Sequence, residues 1–345
     1  MKNNVNRQFR LKRRPQGRVT RDDFDYVESP IPTLGSDQAL LRNLYLSLDP
    51  TNRIWMSDMD QYMPPVELGE VMRGGGIAQV IESNDPQYQV GAFVSGMIGW
   101  QDYVVTDHQA IFPFSSLPKE LPVSPTVLMG AMGITGLTAY FGLLDVGQPQ
   151  AGETVVVSAA AGAVGSVVGQ IAKLKGCRVV GIAGSPAKCA WITGELGFDA
   201  AVNYKESDWK EQLKRACPNG VDIDFENVGG EIMNTVLSML NLKARVVLCG
   251  MISGYNAGTA ATGQGDFIPI LMKRLRVEGF IVLDFAHRFS EATTQLGQWL
   301  KSGKLKHRET IVEGLEKAPL AINYLFDGDN IGKLLVKIAD APIAT

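Results

Sequence analysis

Between Thr154 and Leu283 the chain repeats one pattern. A short run of Val, Ile, Ala or Cys is followed by a small-residue turn and then by a longer stretch with helical spacing. Thr154–Ser158 (TVVVS) is almost wholly β-branched and too short for a helix, so it predicts a strand buried on both faces. Cys177–Ala183, Ala200–Tyr204, Val221–Glu226, Arg245–Cys249 and Val277–Leu283 predict five more strands. Helices are expected from near Ala163 to Lys175, over Ala190–Leu196 with Gly197 as the stop, and over Ser207–Cys217, Glu231–Leu240 and Ser290–Ser302. Strands alternating with helices of this length predict βαβ units around a parallel sheet. Right-handed crossovers bring every strand C-terminus to one edge, where ligands bind. The candidates are therefore Gly162, Ser185, Tyr204, Asn227, Gly250 to Tyr255, and Leu283-Asp284.

The N-terminal portion follows another rule. Leu40–Leu48 (LLRNLYLSL) alternates, with Leu40, Leu44, Leu46 and Leu48 on one face, Arg42 as the exception, and Asp49-Pro50 as the stop. Gly74-Gly75-Gly76 before Ile77–Ile81 predicts a bulged or turning strand. Val90–Val94 and Tyr103–Val105 predict short strands with Trp100 between them, and Pro-rich joins fall at Pro64-Pro65 and Pro113. This portion reads as all-β. A small-residue helix is expected from about Pro125 to Leu144, and Gly332–Ile338 predicts a last strand that is a candidate to return to the N-terminal portion.

Composition narrows the function. A chain of 345 residues suggests roughly two domains. The formal net charge is −3, which gives no reason to expect nucleic acid, and the one basic cluster, Arg10 to Arg14, reads as a solvated face. No apolar run reaches membrane-spanning length, and the N-terminus lacks the apolar core of a signal peptide. The expectation is a cytoplasmic protein without membrane contact. Cys177, Cys189, Cys217 and Cys249 form no CxxC pair, so buried thiols are expected. His108, His287 and His307 are the only histidines, and no metal-ligand spacing exists, so no metal site is expected.

The chemistry begins at Ala160-Ala161-Gly162-Ala163-Val164-Gly165, a dinucleotide-binding fingerprint with Ala in place of its first Gly. Gly162 lets backbone approach a pyrophosphate, Gly165 lets helix pack on strand, and the helix N-terminus receives the negative charge. After the second strand an NAD site would carry an acid for the ribose. This chain has Gly184-Ser185-Pro186-Ala187-Lys188 instead. A hydroxyl and an ammonium without an acid suit a 2′-phosphate, which points to NADPH. Ser185-Pro186 also reads as a helix N-cap followed by Pro.

Six motifs in order carry a resemblance over nearly the whole chain. They are Leu46-Ser47-Leu48-Asp49-Pro50, Gly99 to Tyr103, Ala159 to Gly165, Glu226-Asn227-Val228-Gly229-Gly230, Cys249 to Ser253 with Tyr255-Asn256, and Gly279-Phe280-Ile281. Together they resemble the zinc-independent branch of the medium-chain dehydrogenase/reductase superfamily. Within it they are similar to the NADPH-dependent double-bond reductases (the prostaglandin, alkenal and curcumin reductases). The resemblance implies an α/β protein with a GroES-like β-barrel domain at 1–125 and 310–345 and a Rossmann doubly wound parallel-sheet domain at 126–309.

By resemblance, Gly162, Ala163, Val164 and Gly165 meet the pyrophosphate, Ser185 and Lys188 the 2′-phosphate, and Tyr204 the adenosine side. Asn227, Cys249, Gly250, Met251, Ile252, Ser253, Phe280, Ile281 and Val282 lie on the nicotinamide side, and Asn330 of Asn330-Ile331-Gly332-Lys333 is close to the cofactor. Tyr255 is the catalytic candidate: its hydroxyl would bind the substrate carbonyl or the nicotinamide ribose and could protonate the enolate. Asn52, Tyr62 and Tyr255 are the expected substrate wall, with Met56 to Met59, Met63 and the 249–262 loop as further candidates. Two departures fall near that wall. Many members read Asp-Pro-Tyr where Thr51 stands, and some have Tyr where Phe285 stands. The expected reaction is NADPH-dependent reduction of an α,β-unsaturated ketone or aldehyde by a homodimer. Quinone reduction, zinc-free alcohol oxidation and non-catalytic NADPH binding remain open on the sequence. In the dimer reading, the edge strand near Val277–Leu283 pairs across a two-fold.

Overall fold

The computed structural model describes residues 5–108, 114–117, 123–256 and 268–343. Pro113 and the 257–262 part of the loop lie outside the described residues.

The N-terminal half is built from β1 (Val5–Leu11), β2 (Phe24–Pro30), β3 (Ala39–Ser47), helix α1 (Pro50–Trp55), β4 (Gly75–Ser83), β5 (Phe93–Met97), β6 (Tyr103–Val105) and β7 (Ser115–Ser116). β1 and β2 form an antiparallel hairpin. The others join a seven-stranded sheet whose far edge comes from the end of the chain, β14 (Glu309–Glu313) and β15 (Lys333–Lys337), in the order β14-β15-β3-β4-β5-β7 with β6 also on β3. The candidate last strand does return: Leu335 pairs Ser47 and Val336 pairs Leu46. Phe9, Leu41, Leu46, Leu48, Met56, Trp100 and Leu334 fill this core.

Two expectations here need correction. β3 carries register shifts against β4 at Leu40/Leu41 and Asn43/Tyr45. The pleat therefore slips, and Leu41, Leu46 and Leu48 point into the main core while Leu44 turns to Ile77, Phe93, Met129 and Leu335. The strand expected at Val90–Val94 runs from Phe93 to Met97, because Gly91 turns the chain at φ +88° and leaves Val90 exposed.

The linking helix is not continuous. It splits into α2 (Pro125–Met129) and α3 (Ile134–Phe141), broken where Gly130 and Gly133 leave helical angles, and ends in a π-helical turn over Gly142–Gly147. Six parallel strands follow, β8 (Thr154–Val157), β9 (Arg178–Ala183), β10 (Ala200–Asn203), β11 (Val221–Glu226), β12 (Leu240–Leu248) and β13 (Arg276–Gly279), in the order β10-β9-β8-β11-β12-β13. The helices between and after them are α4 (Gly165–Leu174), α5 (Pro186–Gly194), α6 (Trp209–Ala216), α7 (Gly230–Met239), α8 (Ile252–Tyr255), α9 (Ile268–Lys273) and α10 (Phe289–Lys301). Val155 and Val157 face one core and Val156 the other, so the all-valine run of β8 is buried on both sides. α5 opens at Pro186 with Ser185 as its N-cap, as those two residues predict, and α6 opens after Asp208 rather than Ser207.

The last strand is shorter than expected. It ends at Gly279, and Val282–Arg288 forms a 3₁₀ helix. The Phe280 ring lies against Gly142, and Phe285 stacks on Phe141 at 4.8 Å, so core packing pulls the chain off the sheet. Phe285 therefore belongs to the core rather than to a substrate wall.

Candidate active site

At the end of β8 the chain turns over Ser158–Val164 into α4. The residue with positive φ is Ala159, at +48°, one place before the fingerprint's substituted first Gly. A Cβ on Gly165 would lie 2.6 Å from Ala159 O and 2.9 Å from Ala160 Cα, so only glycine lets the helix close on the strand. The helix begins at Gly165 rather than near Ala163. Gly162 and Gly332 form a parallel bridge, and among the described residues the N–H of Val164 has no hydrogen-bond partner. A tight backbone cradle with an open donor at a helix N-terminus fits a pyrophosphate.

Ser185 caps α5, its Oγ accepting Lys188 N–H at 3.3 Å. Lys188 is half-buried and makes no ion pair among the described residues. Burial lowers its pKa, and Lys205 lowers it further against Asp329. The Tyr204 ring stands over Gly184, with 36% of the residue exposed. Two lysines, an open hydroxyl and an aromatic face thus meet at the ends of β9 and β10. A half-buried lysine beside an exposed one fits a phosphate dianion. Lys205 escaped the sequence reading, although its place directly after Tyr204 was the available signal.

On the nicotinamide side, the ends of β11 and β12 are tied together around one carboxyl. Glu226 Oε1 accepts the Ser158 hydroxyl at 2.6 Å, Gly229 N–H at 2.9 Å, and Val228 N–H. Asn227 donates its N–H to Ser158 Oγ and its Nδ2 to Ser158 O, both at 2.7 Å. The Cys249–Ser253 segment docks here: Cys249 and Gly250 N–H donate to Glu226 O, Ile252 N–H to Asn227 O, and Ser253 N–H and hydroxyl to Val228 O. Burial and Glu226 push the Cys249 thiol up to about 12, so it stays protonated and unreactive. Two residues before Glu226, Asp224 is wholly buried. Both of its oxygens and Glu226 Oε2 lack a partner among the described residues. Burial, then Glu226, raises Asp224 well above the usual range.

A cleft of ≈ 440 Å³ opens beside these strand ends, lined by Cys249, Gly250, Met251, Tyr255, Phe280, Ile281 and Asp284 among others. Tyr255 is half-buried, and its hydroxyl accepts Met251 N–H at 3.0 Å, which leaves its own O–H free to donate. Burial raises this phenol, Cys249 and Tyr62 add to the effect, and the Met251 bond opposes it. α1 packs against α8 across the cleft. From α1, Thr51 Oγ1 meets the Tyr62 hydroxyl at 2.7 Å.

Asn52 is not on that wall. It is 1% exposed, with Oδ1 accepting Asp49 N–H in the cap of α1 and Nδ2 donating to Arg73 O, so both ends of the amide are used inside the fold. Met56 and Met63 are barrel core. Val282 is in the 3₁₀ helix and packs on the Rossmann core, while Ile281 is 37% exposed at the cleft. Asn330 is buried and donates to Gly332 O, and Gly332 N–H donates to Ala161 O at 2.8 Å. The Asn330 segment thus rests on the Gly-rich loop itself.

The fold and this cleft define a class, a two-domain oxidoreductase with a dinucleotide-type sheet. Two family models agree: one described as the N-terminal domain of oxidoreductase matches residues 7–114, and one described as zinc-binding dehydrogenase matches 163–299. An NADPH-dependent curcumin reductase from Escherichia coli is 46% identical over 97% of both chains. A 2-alkenal reductase (NADP(+)-dependent) from Nicotiana tabacum is 42% identical over 88% of both. The solved structure of CurA in complex with NADPH from Vibrio vulnificus superposes with a TM-score of 0.91 at 46% identity, covering 97% of this chain and 99% of that one. The chain belongs to the medium-chain dehydrogenase/reductase superfamily, in the branch of the curcumin and alkenal double-bond reductases.

Proposed function

We propose that this protein uses NADPH to reduce the carbon–carbon double bond of α,β-unsaturated ketones and aldehydes. The observation that carries this reading is Tyr255, a half-buried phenol held by the N–H of its own loop where the cofactor-side strand ends face α1. When bound, NADPH supplies the hydride that adds to the β-carbon. Gly162 to Gly165 cradle the pyrophosphate, Ser185, Lys188 and Lys205 hold the 2′-phosphate, and Tyr204 covers the adenosine side. Asn227, Cys249 to Ser253, Phe280 and Ile281 line the nicotinamide side, and Asn330 supports the loop from behind. As negative charge develops on the substrate oxygen, the Tyr255 O–H donates to it and is the proton source for the enolate carbon, directly or through water. Thr51 and Tyr62 form the opposite wall.

The reaction needs no zinc in this reading. His108 is tied to Asp85 and His307 to Glu309, each at 2.7 Å, and among the described residues no three potential ligands gather. Residues 1–125 and 310–345 serve as the substrate domain and 126–309 as the cofactor domain, which the membership of β14 and β15 in the β3 sheet supports. The protein is a homodimer joined through β13, an edge strand flanked by exposed Leu271, Met272 and Ile281. It works in the cytoplasm: all four cysteines are free thiols. Among the described residues no helix is long and apolar enough to cross a membrane.

The test is NADPH consumption by the purified protein with curcumin, a 2-alkenal, a quinone and a simple ketone, with NADH in parallel. A saturated product from the enones, with NADPH preferred, is expected. Turnover of quinones alone, or NADPH binding without turnover, would overturn the reading.

A further inference from the structure

Lys333 opens β15 and is 3% exposed. Its ammonium donates to Leu48 O at 2.9 Å, Asp49 Oδ1 at 3.0 Å and Leu334 O at 3.1 Å. An ammonium has three donors, so none is left for a ligand. The residue before it, Gly332, donates its N–H to Ala161 O and bridges Gly162. Adjacent residues therefore grip the two halves of the site: Gly332 holds the Gly-rich loop, and Lys333 holds the entrance to α1. Asp49 is held from its other side as well. Its second oxygen accepts the Ser47 hydroxyl, and its N–H donates to Asn52 Oδ1 at 2.7 Å. α1 in turn carries Thr51, bonded to Tyr62, and packs against the helix that holds Tyr255.

We propose that Lys333 and Asp49 are a pair of positioning residues that fix α1 at its distance from the cofactor loop, and so set the geometry for hydride transfer. The proposal rests on the double-bond-reductase reading for its kinetic consequence, though not for the linkage itself. A lone buried ammonium would be costly, so this pair keeps its partners and its geometry together. Hydride transfer is sensitive to small displacements, and the pair acts on that step rather than on cofactor affinity.

The test uses Asp49→Asn, which keeps the shape and removes the charge, and Lys333→Arg, whose planar fork cannot aim three donors at the same three acceptors. In both folded variants kcat on an enone should fall about 10- to 100-fold while the dissociation constant of NADPH changes by less than about threefold. The deuterium isotope effect on kcat with C4-labelled NADPH should rise, because transfer becomes more rate-limiting. A purely structural role would lower the melting temperature and leave the isotope effect where it was. Hydrogen–deuterium exchange supplies a readout that needs no turnover. NADPH should protect residues 50–55 in the native protein and fail to do so in Asp49→Asn. If the native protein reduces no enone, the functional reading falls, and the exchange experiment alone decides the linkage. Native kcat and isotope effect in the folded variants would overturn the proposal, and so would protection of α1 that survives the substitution.

Discussion

Around the Gly-rich loop, backbone does the holding. Gly165 is fixed by the absence of a Cβ, Val164 offers a bare N–H, and Gly332 clamps the loop through another peptide. Across the cleft, side chains do it. Asp49, Asn52 and Lys333 set α1, Thr51 and Tyr62 bond each other, and Tyr255 is held by Met251 N–H. Backbone recognition suits a ligand that never changes, because a pyrophosphate presents the same oxygens every time. Side-chain recognition suits a pocket whose substrate differs among relatives, because one substitution can reshape it without disturbing the sheet. The comparison predicts that the two halves fail differently: changes on the cofactor side shift binding, and changes on the substrate side shift turnover.

The largest effect should come from Tyr255→Phe. Loss of a donor aimed at a developing oxyanion lowers kcat by about 10²- to 10³-fold. The dissociation constant of NADPH, measured by fluorescence titration, should hardly move. If affinity fell with kcat, Tyr255 would belong to the cofactor half and the comparison would break.

Lys188→Ala should behave in the opposite way. Losing one charge-assisted bond to the 2′-phosphate weakens NADPH binding by about 1.5–3 kcal/mol. NADH affinity should stay the same and kcat at saturating NADPH should survive. Adding Lys205→Ala should remove what preference for NADPH remains. An unchanged ratio of NADPH to NADH affinity would take the 2′-phosphate away from this lysine pair.

Asp224 tests the layer beneath both halves. Its two oxygens are buried without partners, so Asp224→Asn should stabilise the fold at neutral pH by about 1–3 kcal/mol, read from urea unfolding. The sign follows from the raised pKa. The folded state binds the proton more tightly than the unfolded chain, so this carboxyl's contribution is present below the unfolded value near 3.8 and is lost as pH rises toward the folded value. The gain from the amide should therefore shrink in acid. A gain that is constant with pH would mean that Asp224 does not titrate with folding.

The smallest effect sharpens the boundary of the substrate half. Asn52→Ala should cost about 1 kcal/mol of stability through the lost cap bonds. The KM for an enone should stay at the native value. A raised KM would return Asn52 to the pocket wall.

Much of the cofactor half was legible in the chain. The alternation from Thr154 onward predicts the parallel sheet, and the strand ends carry Gly162, Ser185, Tyr204, Asn227 and the 250–255 loop. Those positions depend on local backbone and on short spacings, which sequence carries directly. The substrate half was legible only in part. Asn52 and the methionines looked like pocket residues because nothing in their spacing tells a cap or a core position from a cleft. Leu44 lies on the other face because a bulge shifts the pleat without leaving a clear mark in the pattern of hydrophobic residues. Phe285 was read beside the substrate, whereas a ring on another helix, Phe141, takes it into the core.

The sequence by itself determined the class of sheet, the Gly-rich turn, the missing acid and the lysine in its place, because each is a short-range choice between a residue that fits and one that does not. Tertiary structure alone decided which residues face the cleft. It brought Lys333 to Asp49 and Gly332 to Ala161 across some 170 to 280 positions of chain. It turned Asn52 inward, and it set Tyr62 against Thr51 of α1. Such pairings depend on how the two sheets meet, and no local propensity encodes that distance.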